Sequence, residues 1–209
     1  MKRALEELKL LADRMLAFKS KGQHTFVHFS PDRIDPRQVL RRLRSSSLSD
    51  MVLPTDASLS LDLDEAHDAE VQAHFPDLGL TADDENLQEV SLTVLGWEFD
   101  DYKEFPDASR WGRELDLSFW YGLPGQGPRA KQSFAMQGFD RKGLPSISRS
   151  VWAADYAETG YEGHNQTHRP CRNEREAHFF IELVAELFAL TPQGKESPSP
   201  KLASVDKVD

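Results

Sequence analysis

The chain has 209 residues, 39 % of them hydrophobic, with a single cysteine and a formal net charge of -10. This composition excludes a chain disordered throughout, a disulfide-stapled scaffold and a strongly basic nucleic-acid binder. A chain this long buries roughly 70 % of its unfolded surface, enough for one ordinary domain.

The charge is unevenly spread. Residues 1–45 carry eleven Lys/Arg against five Asp/Glu, whereas residues 56–107 carry sixteen Asp/Glu against one basic residue, Lys103. That asymmetry is a stronger signal than the net value.

In chain order, residues 3–19 predict an amphipathic helix, with Leu5, Leu8, Ala12 and Met15 on one face. Residues 24–29, rich in β-branched and aromatic side chains, predict a strand. Asp35-Pro36 opens a short helix reaching about Leu43, and Arg37, Arg41 and Arg44 give it a basic face. Residues 58–63 alternate Leu with polar residues as a half-buried strand does, and residues 64–75 predict a helix.

Two further strand-like stretches run over 87–94 and 96–99. The clearest element is a hairpin, with strands at 114–122 and 130–138 joined by Leu123-Pro124-Gly125-Gln126-Gly127-Pro128. A third strand at 146–153 extends it, and residues 155–172 read as a polar loop. Asn173 caps a long helix, with Glu176 as its capping-box partner and Ala177, Phe180, Ile181, Val184, Leu187 and Phe188 as its buried stripe. Thr191-Pro192 ends it.

Helices at both ends with consecutive strands between them predict an α+β fold: an antiparallel meander of about five or six strands, with the N- and C-terminal helices packed on one face. The expected organisation is one domain over residues 1–191 and a disordered tail over 192–209. Glu6, Glu7 and Lys9 interrupt the apolar run that a secretory leader needs, and no stretch approaches the about 18 apolar residues of a membrane span. With a lone cysteine, the expected location is the cytoplasm and no membrane partner is expected.

Several residue groups have chemistry to weigh. Gly122, Gly125 and Gly127 have the spacing of a phosphate loop, but strands flank them where such a loop needs a helix N-terminus, so they read as a turn. Asp62 and Asp64 share one strand face, which suits Mg²⁺ or simply faces water. Pro76-Asp77 with Asp101-Tyr102-Lys103 resembles the carboxylate-and-lysine pattern of PD-(D/E)xK nucleases over those five residues, which implies metal-activated hydrolysis of a phosphodiester. His164, His168, Cys171 and His178 are of zinc-ligand type, although their spacing supplies only part of the usual couplets. The alternative for them is a polar loop with titratable histidines. Cys171 has His168 near it in sequence, which is not evidence that the two meet in space.

The Arg37 face suits either phosphates or the chain's own acidic middle. Residues 97–107, ending at Trp111, interleave aromatics with acids. Trp97, Tyr102 and Trp111 are of the type that anchors interfaces, and Glu98, Asp100, Asp101 and Glu104 would steer a basic partner to them. The plainer reading is an edge strand with Trp97 and Phe99 inward and Glu98 and Asp100 outward.

The preferred expectation is a non-catalytic cytoplasmic regulator, an inhibitor of immunity type or a phage- or plasmid-encoded blocker such as a conjugation inhibitor. It would dock this acidic aromatic surface on a basic protein partner, with no cofactor and no direct nucleic-acid contact. Two alternatives stay open: a metal-dependent nuclease or hydrolase using Asp62, Asp64, Asp77 or Asp101, and a nucleic-acid-binding regulator using the Arg37 face.

Overall fold

The structure, a computed structural model, describes residues 3–18, 26–59, 79–98, 111–139, 143–153 and 167–192. Helix α1 spans Arg3–Leu16, β1 Phe26–Phe29, α2 Pro36–Arg44, β2 Leu87–Glu98 and β3 Trp111–Tyr121. Strand β4 follows at Ala130–Phe139, then β5 at Ser146–Ala153, β6 at Thr167–Pro170 and α3 at Glu174–Ala189. A single 3-10 turn, Ser49–Met51, follows α2.

The six strands form one antiparallel sheet in the order β1-β2-β3-β4-β5-β6, the predicted α+β meander. Each strand is bonded to its sequence neighbour, although the connection from β1 to β2 is long and carries α2 and the 3-10 turn. The β3–β4 reversal is the Pro- and Gly-rich turn, where Gly125 takes φ +78, a conformation open to glycine at little cost. Strands on both sides of Gly122, Gly125 and Gly127 leave no helix N-terminus for a phosphate.

The three helices among the described residues lie on one face. Gly96, Arg113 and Gly138 form a single rung across β2, β3 and β4, and α1 crosses this rung. A Cβ at Gly96 would come within 2.5 Å of the Leu16 side chain, and one at Gly138 within 3.1 Å of Leu5 and Leu8. The two glycines therefore let the helix sit close. Between them, the buried Arg113 guanidinium donates to Asp13 on α1 at 2.8 Å and to Glu98 at 2.7 Å. Beneath the helices lies one core, including Leu8, Met15, Leu40, Leu43, Leu92, Leu117, Phe119, Phe134, Phe180 and Leu187.

Both expected helix caps form. The Asp35 side chain accepts from the Arg37 amide with Pro36 at the first helical position, and the Asn173 side chain accepts from the Glu176 amide.

Several boundaries differ from expectation. The two predicted stretches join into one strand, Leu87–Glu98, because Leu95 pairs with both Phe26 and Glu114; Phe99 lies outside the described residues. Helix α1 ends at Leu16. The expected polar loop over 155–172 contains β6, whose Thr-His-Arg-Pro sequence shows no strand alternation. It forms because β5 offers an edge, and Pro170 suits an outermost strand. Ser58 bridges to Thr81. Leu59 is buried and its amide donates to the Leu80 carbonyl at 2.9 Å, whereas residues 60–63 of the predicted strand, the 64–75 helix and the tail from 193 onward lie outside the described residues. Among the described residues, no helix is long and apolar enough to cross a membrane.

Candidate functional site

Period-two alternation turns every second side chain away from the helices. Ladder register then gathers those side chains into rows on the face opposite the described helices, called the helix-free face because none of the described helices covers it. One row runs His28, Thr93, Asp116, Ala135, Ser148, His168 across all six strands. Beside it stand Leu95, Glu114, Gln137 and Ser146 on one side, and Ser91, Ser118, Ser133 and Ser150 on the other. A further row holds Glu89, Trp120, Lys131 and Trp152, and at the opposite end Trp97 and Phe139 flank Gly112.

Hydrogen bonds organise this face. Trp120 Nε1 donates to Ser91 at 2.7 Å, and Trp152 Nε1 to Ser150 at 3.0 Å. Ser118 donates to the Asp116 carboxylate at 2.6 Å and is joined at 2.8 Å by Ser133, which must then be the donor of that pair. Lys131 lies between two indoles, its Nζ 5.2 Å from each ring of Trp120 and Trp152. A cation so held is engaged by the ring quadrupoles. His28 Nδ1 meets the Thr93 hydroxyl at 3.1 Å, while its Nε2 is buried with no hydrogen-bond partner.

Burial sets the protonation of this cluster. Loss of solvent pushes the Asp116 carboxyl above its usual range, against the opposing pull of Lys131 and the Ser118 hydroxyl. Desolvation raises Glu114 too, and repulsion from Asp116 adds to it, while the Gln137 amide bonded to Glu114 opposes. The same loss of solvent, with Lys131, lowers the His28 pKa. Among the described residues, no Lys, Arg or His lies at ion-pair distance from either carboxylate.

A raised carboxyl favours the fold when protonated. That contribution is complete below the unfolded-state value, near 3.8 for Asp116, and is lost as pH rises through the folded value. Asp116→Asn is therefore expected to be more stable than the parent at pH 7, with the gain vanishing toward pH 3. Urea denaturation at several pH values checks this, and a variant less stable at pH 7 would contradict it.

The sequence-predicted interface residues do not share one surface. Trp97 faces the helix-free side, its indole packed over Gly112 and edge-on to Phe139 at 5.8 Å. Glu98 and Trp111 face the helix side, Glu98 bonded to Arg113 and Trp111 under the Lys9 ammonium at 5.6 Å. Of the plainer alternation, Glu98 is exposed as expected although it stands on the helix side, whereas Trp97 is half-buried on the opposite face; Phe99 lies outside the described residues. Asp100, Asp101, Tyr102 and Glu104 lie outside the described residues.

The other candidates disperse. Cys171 is buried, and desolvation with the nearby Glu176 charge pushes its thiol up to about 12, which suits an inert thiol and not a nucleophile. His178 points toward Glu7 on α1, and His168 sits on the far edge strand. Among the described residues, no three His, Cys, Asp or Glu side chains are grouped as metal ligands. His164 lies outside the described residues, as do Asp62, Asp64, Asp77 and the Asp101–Lys103 segment. On α2, Arg44 pairs with Asp84 at 2.6 Å, Arg41 approaches it at 3.8 Å, and Arg37 donates to the Asp84 carbonyl. This basic face is docked on the acidic middle of its own chain.

No family model, curated protein or solved structure matches this chain. Its site is therefore read from geometry alone. Sequence reasoning missed the helix-free face because each of its rows takes one residue from each strand and only the ladder register brings them together. The available signal was the alternating Glu114, Asp116, Ser118, Trp120 within an otherwise apolar β3.

Proposed function

We propose that this is a non-catalytic binding protein of the inhibitor kind, which docks its helix-free sheet face on a basic protein partner. One observation carries the reading: Glu114 and Asp116 stand two residues apart on one sheet face without a cation at ion-pair distance among the described residues. Lys131, the ammonium on that face among the described residues, is already held by two indoles. Carboxylates kept from water and lacking a counter-charge are costly, and an arginine or lysine from a partner would offset that cost. Trp97, Phe139 and Leu95 beside them are half-buried, with area left for a partner to cover.

The mechanism is occlusion: the partner's basic surface is covered and nothing is transformed. The acids of residues 100–104 would add to the attracting field. Cytoplasmic immunity proteins and plasmid- or phage-encoded blockers of conjugation act in this way, and the lone buried thiol suits a reducing compartment.

The test is recovery of the partner from host lysate at low salt, followed by association kinetics of the purified pair. Glu114→Gln with Asp116→Asn, and separately Asp100→Lys with Asp101→Lys, should slow association and flatten its salt dependence. Kinetics unchanged in both double variants would overturn the reading.

A further inference from the structure

Arg44, Arg113 and Arg169 sit partly or wholly inside the fold, each against a carboxylate of its own. Arg149, half-buried on β5, has none among the described residues. Its Nη2 donates to the Thr167 hydroxyl at 3.1 Å, and its Nη1 reaches the Met51 carbonyl at only 3.4 Å. Nε is buried without a partner. A guanidinium has five N–H donors in a rigid fork, so most of this one is unspent. Loss of solvent lowers its pKa, and no charged neighbour counters that effect.

The charged groups nearby cancel, which leaves Arg149 as the uncompensated cation among the described residues. Arg169 and Arg172 share Asp50 and Glu176. Asp50 adjoins Met51, and Thr167 stands two residues from Arg169 on the same strand face. Three guanidiniums therefore meet two carboxylates. The Thr167 oxygen accepts from Arg149, which leaves its own proton to donate.

We propose that Arg149 anchors an oxyanion-binding site at the β5–β6 edge, with Thr167 as second donor, that takes the phosphate or carboxylate group of a ligand. The fork geometry suits a planar or tetrahedral oxyanion in two-point contact. This site lies on the helix side of the sheet and does not depend on the basic-partner reading.

The experiment is thermal unfolding of the full chain in sodium phosphate, sodium acetate and sodium chloride at matched ionic strength and pH 7. A ligand that binds only the folded state raises Tm in a saturable way. The wild type is expected to gain Tm with phosphate or acetate beyond chloride, and whichever anion acts more strongly identifies the group. Arg149→Lys keeps the charge but loses the fork, and should lose most of that gain. Arg149→Met should lose it entirely while being at least as stable as the parent in chloride. Equal responses to all three salts in the wild type would overturn the site. So would an anion-specific gain that survives intact in Arg149→Lys, and this second readout holds even if Arg149→Met fails to fold.

Discussion

Replacing Arg169 with methionine is expected to destabilise the chain by about 3–5 kcal/mol, because it strands a buried carboxylate. Glu176 is 0 % exposed. It accepts from Arg169 Nη2 at 2.7 Å, from Arg169 Nη1 at 2.9 Å and from the Arg172 amide at 2.6 Å. Arg169 also reaches Asp50 in the 3-10 turn at 3.2 Å. One side chain thus ties β6, the 3-10 turn and the start of α3 together. Burial alone would raise the Glu176 pKa, but Arg169 and Arg172 outweigh it and hold the group below its ordinary 4.5.

A depressed carboxyl contributes stability that is present above the unfolded value and lost as pH falls through the folded one. The wild type should therefore lose this contribution only below pH 4.5, and the gap between wild type and Arg169→Met should narrow there. Urea denaturation at pH 7 and at pH 4 checks both statements. Pairing Arg169→Met with Glu176→Leu should recover most of the loss, since an apolar pair of similar volume needs no compensation. A single variant within about 1 kcal/mol of the parent would show that Glu176 finds another cation, contrary to this account.

This network shows how far the sequence could be read. The expected capping box is not completed, since the Glu176 carboxylate turns to Arg169 and the Arg172 amide. The Asn173 cap on the Glu176 amide was still legible, because the two are three residues apart and obey local rules. Arg169 was not, because its other carboxylate partner, Asp50, is 119 residues away and the strand that positions it has no alternation of its own. The meander and its helices followed from periodicity, because helix and hairpin signals are local. The helix-free rows did not. Each needs the register of several ladders, and a slip of one residue would move every member to the other face.

Trp97 illustrates the cost of that missing register. Sequence density grouped it with Glu98 and Trp111, yet pairing to Gly112 turns it away from both. Arg149 was the reverse case. It shares a strand face with Ile147 and Val151, and a cation in that alternation was a readable anomaly. Only the contacts show that it lacks a carboxylate among the described residues.

Phe134→Ala is expected to be the most damaging truncation in the core, at about 3–5 kcal/mol. The ring is 1 % exposed and lies edge-to-face on Phe119 with centroids 5.8 Å apart. It sits on the central strand pair, β3 and β4, opposite Leu117 and Arg149 in register. Ladder hydrogen bonds fix the backbone on both sides, so the surrounding structure can collapse only partly into the space. For a domain of this size each kcal/mol moves Tm by about 2–4 °C, which predicts a fall of about 6–20 °C. Differential scanning calorimetry reads it directly.

The helix-free face should be spared until unfolding, because Phe134 points the other way and Lys131, Ser133 and Ala135 keep their backbone positions. Indole fluorescence of the folded variant, measured in a Trp111→Phe background so that the remaining indoles all lie on the helix-free face, should therefore match its parent, and the partner kinetics proposed above should survive at low temperature. A folded Phe134→Ala protein with altered indole emission would mean that the two faces of the sheet are coupled. A carboxylate face rigid enough to wait for a basic partner requires that they are not.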